Sequence, residues 1–145
     1  MKAKRLNGEG GIRIYAVIFE TGEDPVAGLT QFAARERLDA SGFTAIGAFS
    51  EATLGYFDWE RKDYDRIAVA EQVEVVSLVG DIALEDGKPR VHAHAVLGRR
   101  DGSTRGGHLL DARVRPTLEV IVTESPGYLK REHDRESGLA LIRDG

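Results

Sequence analysis

Three of the four histidines in this sequence lie close together, at His92, His94 and His108. If residues 91–97 form a strand, their apolar side chains share the core face, and His92 and His94 share the other face about 7 Å apart. Two imidazoles so placed can converge on one metal ion, at about 2.0–2.1 Å from each ligating nitrogen. Two glycines precede His108 and allow a close backbone approach there. The spacing therefore predicts a site for a divalent metal ion such as Zn²⁺.

A carboxylate on a later strand could take part in the same chemistry. In a strand over residues 117–123, the alternation directs Leu118, Val120 and Val122 to the core and Glu119 to the opposite, mostly polar face. Glu119 is thus a candidate fourth ligand, a partner for a ligating histidine, or the general base of a reaction. A cross-strand ion pair is an equal alternative for this residue.

The clustered histidines also have plainer interpretations. An H-x-H pair on a strand is often just exposed or hydrogen-bonded, so a purely structural role stays open. His133 stands in a charged segment and is expected to be solvated. Metal enzymes of the double-stranded β-helix (cupin) class also use H-x-H, with a carboxylate four or five residues further on. Gly98 and Arg99 occupy those positions, so the cupin pattern is not met.

Length and composition limit the class of protein. The chain has 145 residues, a formal charge of −4, 41% hydrophobic and 30% charged residues, which is typical of a single globular domain. It has no cysteine, which excludes disulfides, thiolate metal sites and a cysteine nucleophile. Because no apolar run approaches ~20 residues and no signal-peptide core follows the start, we expect a soluble, cytoplasmic protein without a membrane partner. The slightly negative net charge argues against a domain whose main function is to bind phosphate groups.

The elements that must position these side chains can be read from apolar patterns and turn residues. Asp24-Pro25 predicts a helix N-terminus, and the apolar stripe from Val26 onward predicts one main helix that ends at Gly42. Asp86-Gly87 is typical of a hairpin turn, and residues 98–107 are expected to form a loop. The strands are predicted at 12–19, 44–57, 64–69, 73–79 with 82–84, 91–97, 108–110 and 117–123. This pattern predicts a single-domain α+β fold with an antiparallel sheet.

An ordered set of motifs resembles the PPC domain, the "plant and prokaryote conserved" family. The resemblance covers residues 11–125, which leaves 1–10 as an N-terminal extension and 126–145 as a C-terminal tail. The motifs that carry it are Gly80-Asp81-Ile82-Ala83, Asp86-Gly87, Val91-His92-Ala93-His94-Ala95, Asp101-Gly102, Gly106-Gly107-His108-Leu109 and Thr117-Leu118-Glu119-Val120.

The resemblance implies an antiparallel α+β domain assembled as a homotrimer. It also implies that the chain is a stand-alone prokaryotic member of the family. Some of these members are suspected of carrying a metal ion at the positions of His92, His94 and His108. Plant relatives join the domain to AT-hooks and act as DNA-binding regulators. DNA binding finds little support here, because the chain is acidic and has no Arg-Gly-Arg tripeptide. Its nearest basic cluster, in residues 99–105, is expected to be a solvated loop or a trimer contact.

Three hypotheses of function follow. The leading one is a bacterial-type PPC homotrimer with a histidine site for a divalent metal such as zinc, and Glu119 as the candidate base if the protein is an enzyme. The second is a DNA-associated regulator that acts through PPC assembly. The third is a structural trimer whose histidines lie at the subunit interface. The residues alone do not decide whether the protein is an enzyme.

Overall fold

A computed structural model describes residues 1–7 and 10–143. Residues 8–9 and 144–145, which belong to the predicted extension and tail, lie outside this description. The described part contains one helix, α1 (Pro25–Glu36), and nine strands. The strands are β1 (Lys2–Arg5), β2 (Arg13–Glu20), β3 (Ala40–Asp58), β4 (Asp63–Val69), β5 (Val73–Glu85), β6 (Lys88–Gly98), β7 (Thr104–Glu124), β8 (Lys130–His133) and β9 (Ala140–Arg143).

All nine strands belong to one sheet. The main order is β1-β2-β7-β3-β5-β8-β9, with β4 paired to β3. Strand β6 pairs with both β5 and the first part of β7, so β3, β5, β6 and β7 form a closed ring of paired strands. Every pairing is antiparallel except that of β5 with β8. The predicted α+β class with an antiparallel sheet and one main helix is confirmed.

The helix begins as predicted and ends earlier than predicted. The Asp24 side chain accepts hydrogen bonds from the Val26 and Ala27 N–H groups, at 2.9 and 3.1 Å, and so caps the first turn. The helix ends at Glu36 because Arg37 adopts a left-handed conformation, with φ 54°. The predicted end at Gly42 is therefore wrong, and Gly42 lies within β3.

One face of the helix packs against the sheet and forms the core with it. Leu29, Phe32 and Ala33 are buried there, and the ring of Phe32 meets that of Tyr15 edge to face at 5.2 Å. The strands contribute alternate apolar side chains to the same core. Val75, Leu78, Ala93, Ala95, Leu118, Val120 and Val122 are among them. No helix in the described part of the chain is long and apolar enough to cross a bilayer.

Strands β6 and β7 are longer than the sequence predicts. Residues 108–110 and 117–123 were expected to be separate strands, and both belong to the single strand β7. The predicted loop 98–107 shrinks to residues 99–103, since β6 extends to Gly98 and β7 begins at Thr104. The loop is shorter because Gly98 pairs with Thr104 and Leu97 pairs with Arg105, so the two strands of the hairpin remain paired as far as a short turn.

Both ends of the chain join the sheet. Strand β1, in the predicted extension, pairs with β2. In the predicted C-terminal tail, β8 pairs in parallel with the end of β5. Just before β8, the Leu129 N–H donates to the Asp39 carbonyl at 2.9 Å, and the Leu129 carbonyl accepts from the Leu84 N–H at 2.8 Å. The tail thus forms a wall beside the β5–β6 hairpin.

Candidate metal centre

The β6–β7 hairpin brings the three predicted histidines together. His92 and His94 lie on the same face of β6, opposite the buried Ala93, as the alternation predicts. His94 is the direct cross-strand partner of His108. A Cβ atom added to Gly107 would lie 2.8 Å from the Gly55 carbonyl oxygen, which confirms the close backbone approach expected before His108.

The three imidazoles face one common point. Their ring centroids are 5.0 to 5.4 Å apart, and each ring offers one nitrogen such that these atoms all lie within 4.8 Å of one another. Nitrogens around a tetrahedral zinc ion lie about 3.3 Å apart, given bonds of 2.0–2.1 Å. Since the observed nitrogens lie within 4.8 Å of one another, they need to approach by at most about 1.5 Å to form such a ligand set.

The local electrostatics keep two of these imidazoles neutral. Burial, reinforced by the neighbouring charges of His92 and His94, lowers the pKa of His108 to about 4. Burial and the charge of His92 also lower the pKa of His94. A metal ion needs the unprotonated nitrogen as its ligand, so both residues are ready to bind at neutral pH without first losing a proton.

His108 has an unpaired polar atom that suits a ligand. Its Nδ1 atom is buried and meets no hydrogen-bond partner among the described residues. A buried polar atom without a hydrogen-bond partner destabilises the folded protein by roughly 1–3 kcal/mol. We therefore expect a bound partner for this nitrogen. The ring itself is held firmly, because Tyr64 of β4 stacks on it with centroids 4.7 Å apart and planes 25° apart. These observations fit a divalent metal ion bound among the three histidines.

Two residues that the sequence interpretation missed support His92. The Asp81 carboxylate lies 3.7 Å from His92 Nδ1 and is also ion-paired with Arg131. Burial acts to raise the pKa of Asp81, but His92 and Arg131 together bring it below its usual value, so the carboxylate is charged. A carboxylate beside the second nitrogen of a ligating histidine fixes the orientation of the ring and makes it a better ligand.

A signal for Asp81 is present in the sequence. A two-residue turn at Asp86-Gly87 places residues 81 and 92 opposite each other in a hairpin, and the structure pairs them in this way. Arg131 gives no such signal. It reaches Asp81 through the parallel pairing of β8 with β5, which joins segments distant in sequence.

The structure does not bring Glu119 to the histidines. Glu119 lies eleven positions beyond His108 on β7, where its neighbours across the sheet are Ile18 and Ile46. It is exposed, as predicted, but it borders a different surface depression together with Glu74. Within one chain, Glu119 therefore stands apart from the histidine cluster. His133 is exposed on β8 and is not part of the cluster, as expected.

Comparisons with known proteins agree with the fold and with the motifs. The family model for the Plants and Prokaryotes Conserved (PCC) domain matches residues 7–126. No curated protein shows significant similarity to the chain.

Several solved structures are similar over almost the whole chain. A plant- and prokaryote-conserved (PPC) protein of Pyrococcus horikoshii is 32% identical, with a TM-score of 0.86, and the match covers 91% of this chain and 92% of the other. A protein of Archaeoglobus fulgidus described as metal-containing is 32% identical, with a TM-score of 0.84 and 99% of each chain covered. A "putative DNA-binding protein" of Ralstonia eutropha is 33% identical, with a TM-score of 0.84, covering 89% and 90%.

The family match spans most of the chain, and the relatives share its architecture from end to end. The predicted membership is confirmed. The chain therefore belongs to the Plants and Prokaryotes Conserved (PCC) domain family, called PPC above.

Proposed function

We propose that this protein is a homotrimeric, cytoplasmic PPC-domain protein that binds a divalent metal ion, with zinc as the best fit, at His92, His94 and His108. The observation that carries the metal proposal is the convergence of three imidazole nitrogens within 4.8 Å of one another. The low pKa values of His94 and His108 support it, as does the metal-containing relative from Archaeoglobus fulgidus.

Three imidazoles leave a fourth coordination position open. An ion held in this way supplies Lewis-acid chemistry to a ligand or a water at that position. The protein contributes the geometry: Tyr64 holds the ring of His108, and Asp81 orients His92. Donors made only of neutral nitrogen suit zinc better than magnesium or calcium, which prefer oxygen.

Elemental analysis of untagged protein, grown with zinc, tests the metal site. We expect one ion per chain in the wild type and almost none in His94→Ala, since only two imidazoles remain. His94 is exposed and faces away from the core, so the fold of this variant is retained, which circular dichroism checks. His133→Ala is the matched control and keeps the wild-type content. Equal metal in wild type and His94→Ala, or none in the wild type, contradicts the proposal.

An uncovered apolar face supports the homotrimer. The helix packs on the core side of the sheet, and large apolar side chains lie exposed on the other side. Thr44 has Val79 on one side and Ile121 on the other, so this surface is continuous across three strands. Contiguous exposed apolar surface of this kind marks an interaction site. The exposed residues are Ile46, Val76, Val79, Val96 and Ile121.

Light scattering at micromolar concentrations tests the assembly. We expect three times the mass of one chain for the wild type, and a smaller mass for Ile46→Asp, because Ile46 is 62% exposed at the centre of this face. Tyr128→Asp is the control, since Tyr128 is similarly exposed but lies outside the face. A monomer mass for the wild type would contradict the homotrimer, and an unchanged Ile46→Asp would contradict the location of the interface.

A DNA-associated role is the second candidate. The description of the relative from Ralstonia eutropha favours it. The net charge of −4 and the absence of an Arg-Gly-Arg tripeptide weigh against it. The metal-binding function is therefore the one that the geometry of this chain supports best.

A further inference from the structure

A cavity of about 400 Å³ opens beside the histidine cluster. This volume is at the small end of the ~300–1,000 Å³ that is typical of ligand sites. His92, His108 and Arg131 line one part of the cavity. The remaining wall is largely aliphatic and includes Leu110 of β7 together with Leu139 and Leu141 of the tail. Such a mixture of apolar wall and few convergent polar groups is characteristic of a small-molecule site.

Arg131 is the most unusual polar group of this cavity. Only 6% of its side chain is exposed. One guanidinium nitrogen is ion-paired with Asp81, and a second donates to the Ala140 carbonyl at 3.1 Å. The third, Nε, is buried and has no partner among the described residues. Buried arginines normally have their donors satisfied, and their planar fork matches a carboxylate.

The charges around the cavity indicate which ligand fits. Arg131 and Asp81 cancel each other, and so do Arg90 and Glu85, which lie 3.2 Å apart. Imidazoles that bind a metal ion do so in their neutral form and add no charge of their own. A divalent ion at the histidines therefore leaves two positive charges without a protein counter-charge, in a site where aliphatic walls weaken solvent screening. An anion is the ligand that balances this excess.

We propose that the cavity binds a small carboxylic acid with an aliphatic body. The carboxylate lies at the end lined by the metal centre and Arg131, and the aliphatic part lies against Leu110, Leu139 and Leu141. This inference rests on the proposed metal-binding function, and it names the class of ligand that the same site receives.

Calorimetric titration of zinc-loaded protein tests the ligand, with isovalerate as the probe and isovaleramide as its neutral counterpart of the same shape. We expect saturable binding of isovalerate and at least tenfold weaker binding of the amide. The metal content of the same sample is measured first. If zinc is bound but isovalerate does not bind, or binds no better than the amide, the carboxylate inference is overturned and the metal site stands. If no zinc is retained, both fail.

Two variants test the location. Arg131→Lys keeps the positive charge but loses the fork, and we expect at least tenfold weaker binding of isovalerate. Leu141→Gln places an amide in the aliphatic wall, and we expect a similar loss with an intact metal site. Ile142→Gln is the matched control, because Ile142 is exposed on the opposite face of β9 and does not line the cavity. Equal affinities of Leu141→Gln and Ile142→Gln would overturn the placement of the ligand, whether or not Arg131→Lys folds.

Discussion

Acidification of the metal-free protein tests the environment of His108. Burial, with the charges of His92 and His94, lowers the pKa of His108 to about 4. In the unfolded chain an imidazole titrates near ~6.5. Between these values the unfolded chain holds a proton that the folded chain does not. The contribution of His108 to stability is therefore fully present above about pH 6.5 and is lost as the pH falls towards 4.

The size of the effect follows from the two pKa values. At pH 5 the linkage relation gives a loss of about 2 kcal/mol for His108 relative to pH 7.5. This is an upper value, because the ring is only partly buried and water screens part of the charge. His94, whose pKa is also lowered by burial, shifts stability in the same direction.

Urea denaturation in the presence of a chelator, at matched protein concentration and at pH 7.5, 6 and 5, measures the loss. The His108→Gln variant keeps the carboxylates that also titrate but removes the imidazole. We expect the free energy of unfolding to fall by up to about 2 kcal/mol more in the wild type than in the variant between pH 7.5 and 5. The same fall in both proteins would refute the assignment of a partly buried His108 that is neutral at pH 7.5.

Three further predictions concern packing, ligand positioning and DNA. Gly28→Ala should lower the free energy of unfolding by about 1–3 kcal/mol, because the added methyl group would overlap the ring of Phe19. An unchanged urea midpoint would contradict this packing. Tyr64→Ala should weaken zinc binding about tenfold in a competition titration, because it removes the ring stacked on His108. The control Tyr56→Ala, at an exposed position, should leave the affinity unchanged. Equal zinc affinities of the two variants would show that the stacked ring does not position His108. Binding to an AT-rich duplex should be no tighter than micromolar at ~150 mM salt and should weaken as salt rises, given the net charge of −4; a nanomolar dissociation constant by fluorescence anisotropy would contradict this.

The strands that hold the histidines could be predicted from local alternation. Ala93 and Ala95 take the core face of β6, and the histidines take the other. The helix end could not be predicted, because Arg37 adopts a positive φ that glycine normally provides. The full length of β7 could not be predicted either, because the glycine, serine and arginine residues around Thr104 are typical of loops. Only the cross-strand pairing shows that they belong to a strand.

The candidate site was predictable only as far as its three histidines. The three histidines follow from spacing on one hairpin, which is a local property. The parts that surround them are not local: Tyr64 arrives on β4, and Arg131 arrives on a parallel strand near the end of the chain. Glu119 was a candidate because alternation in the predicted strand 117–123 placed it on a mostly polar face, but that segment is the far end of a 21-residue strand whose two ends lie in different parts of the molecule.

The pairing of β2 with β7 has a consequence for how the chain folds. Tyr15 lies opposite Val122, so more than a hundred further residues must be synthesised before β2 can pair with this part of β7. Pairing of distant segments loses loop-closure entropy before contacts compensate for it, which slows folding. We expect folding on the millisecond-to-second scale of sheets with such distant pairings. While the protein is being synthesised, the apolar strand Arg13–Glu20 is open to association with other chains until the last third of the sequence has emerged.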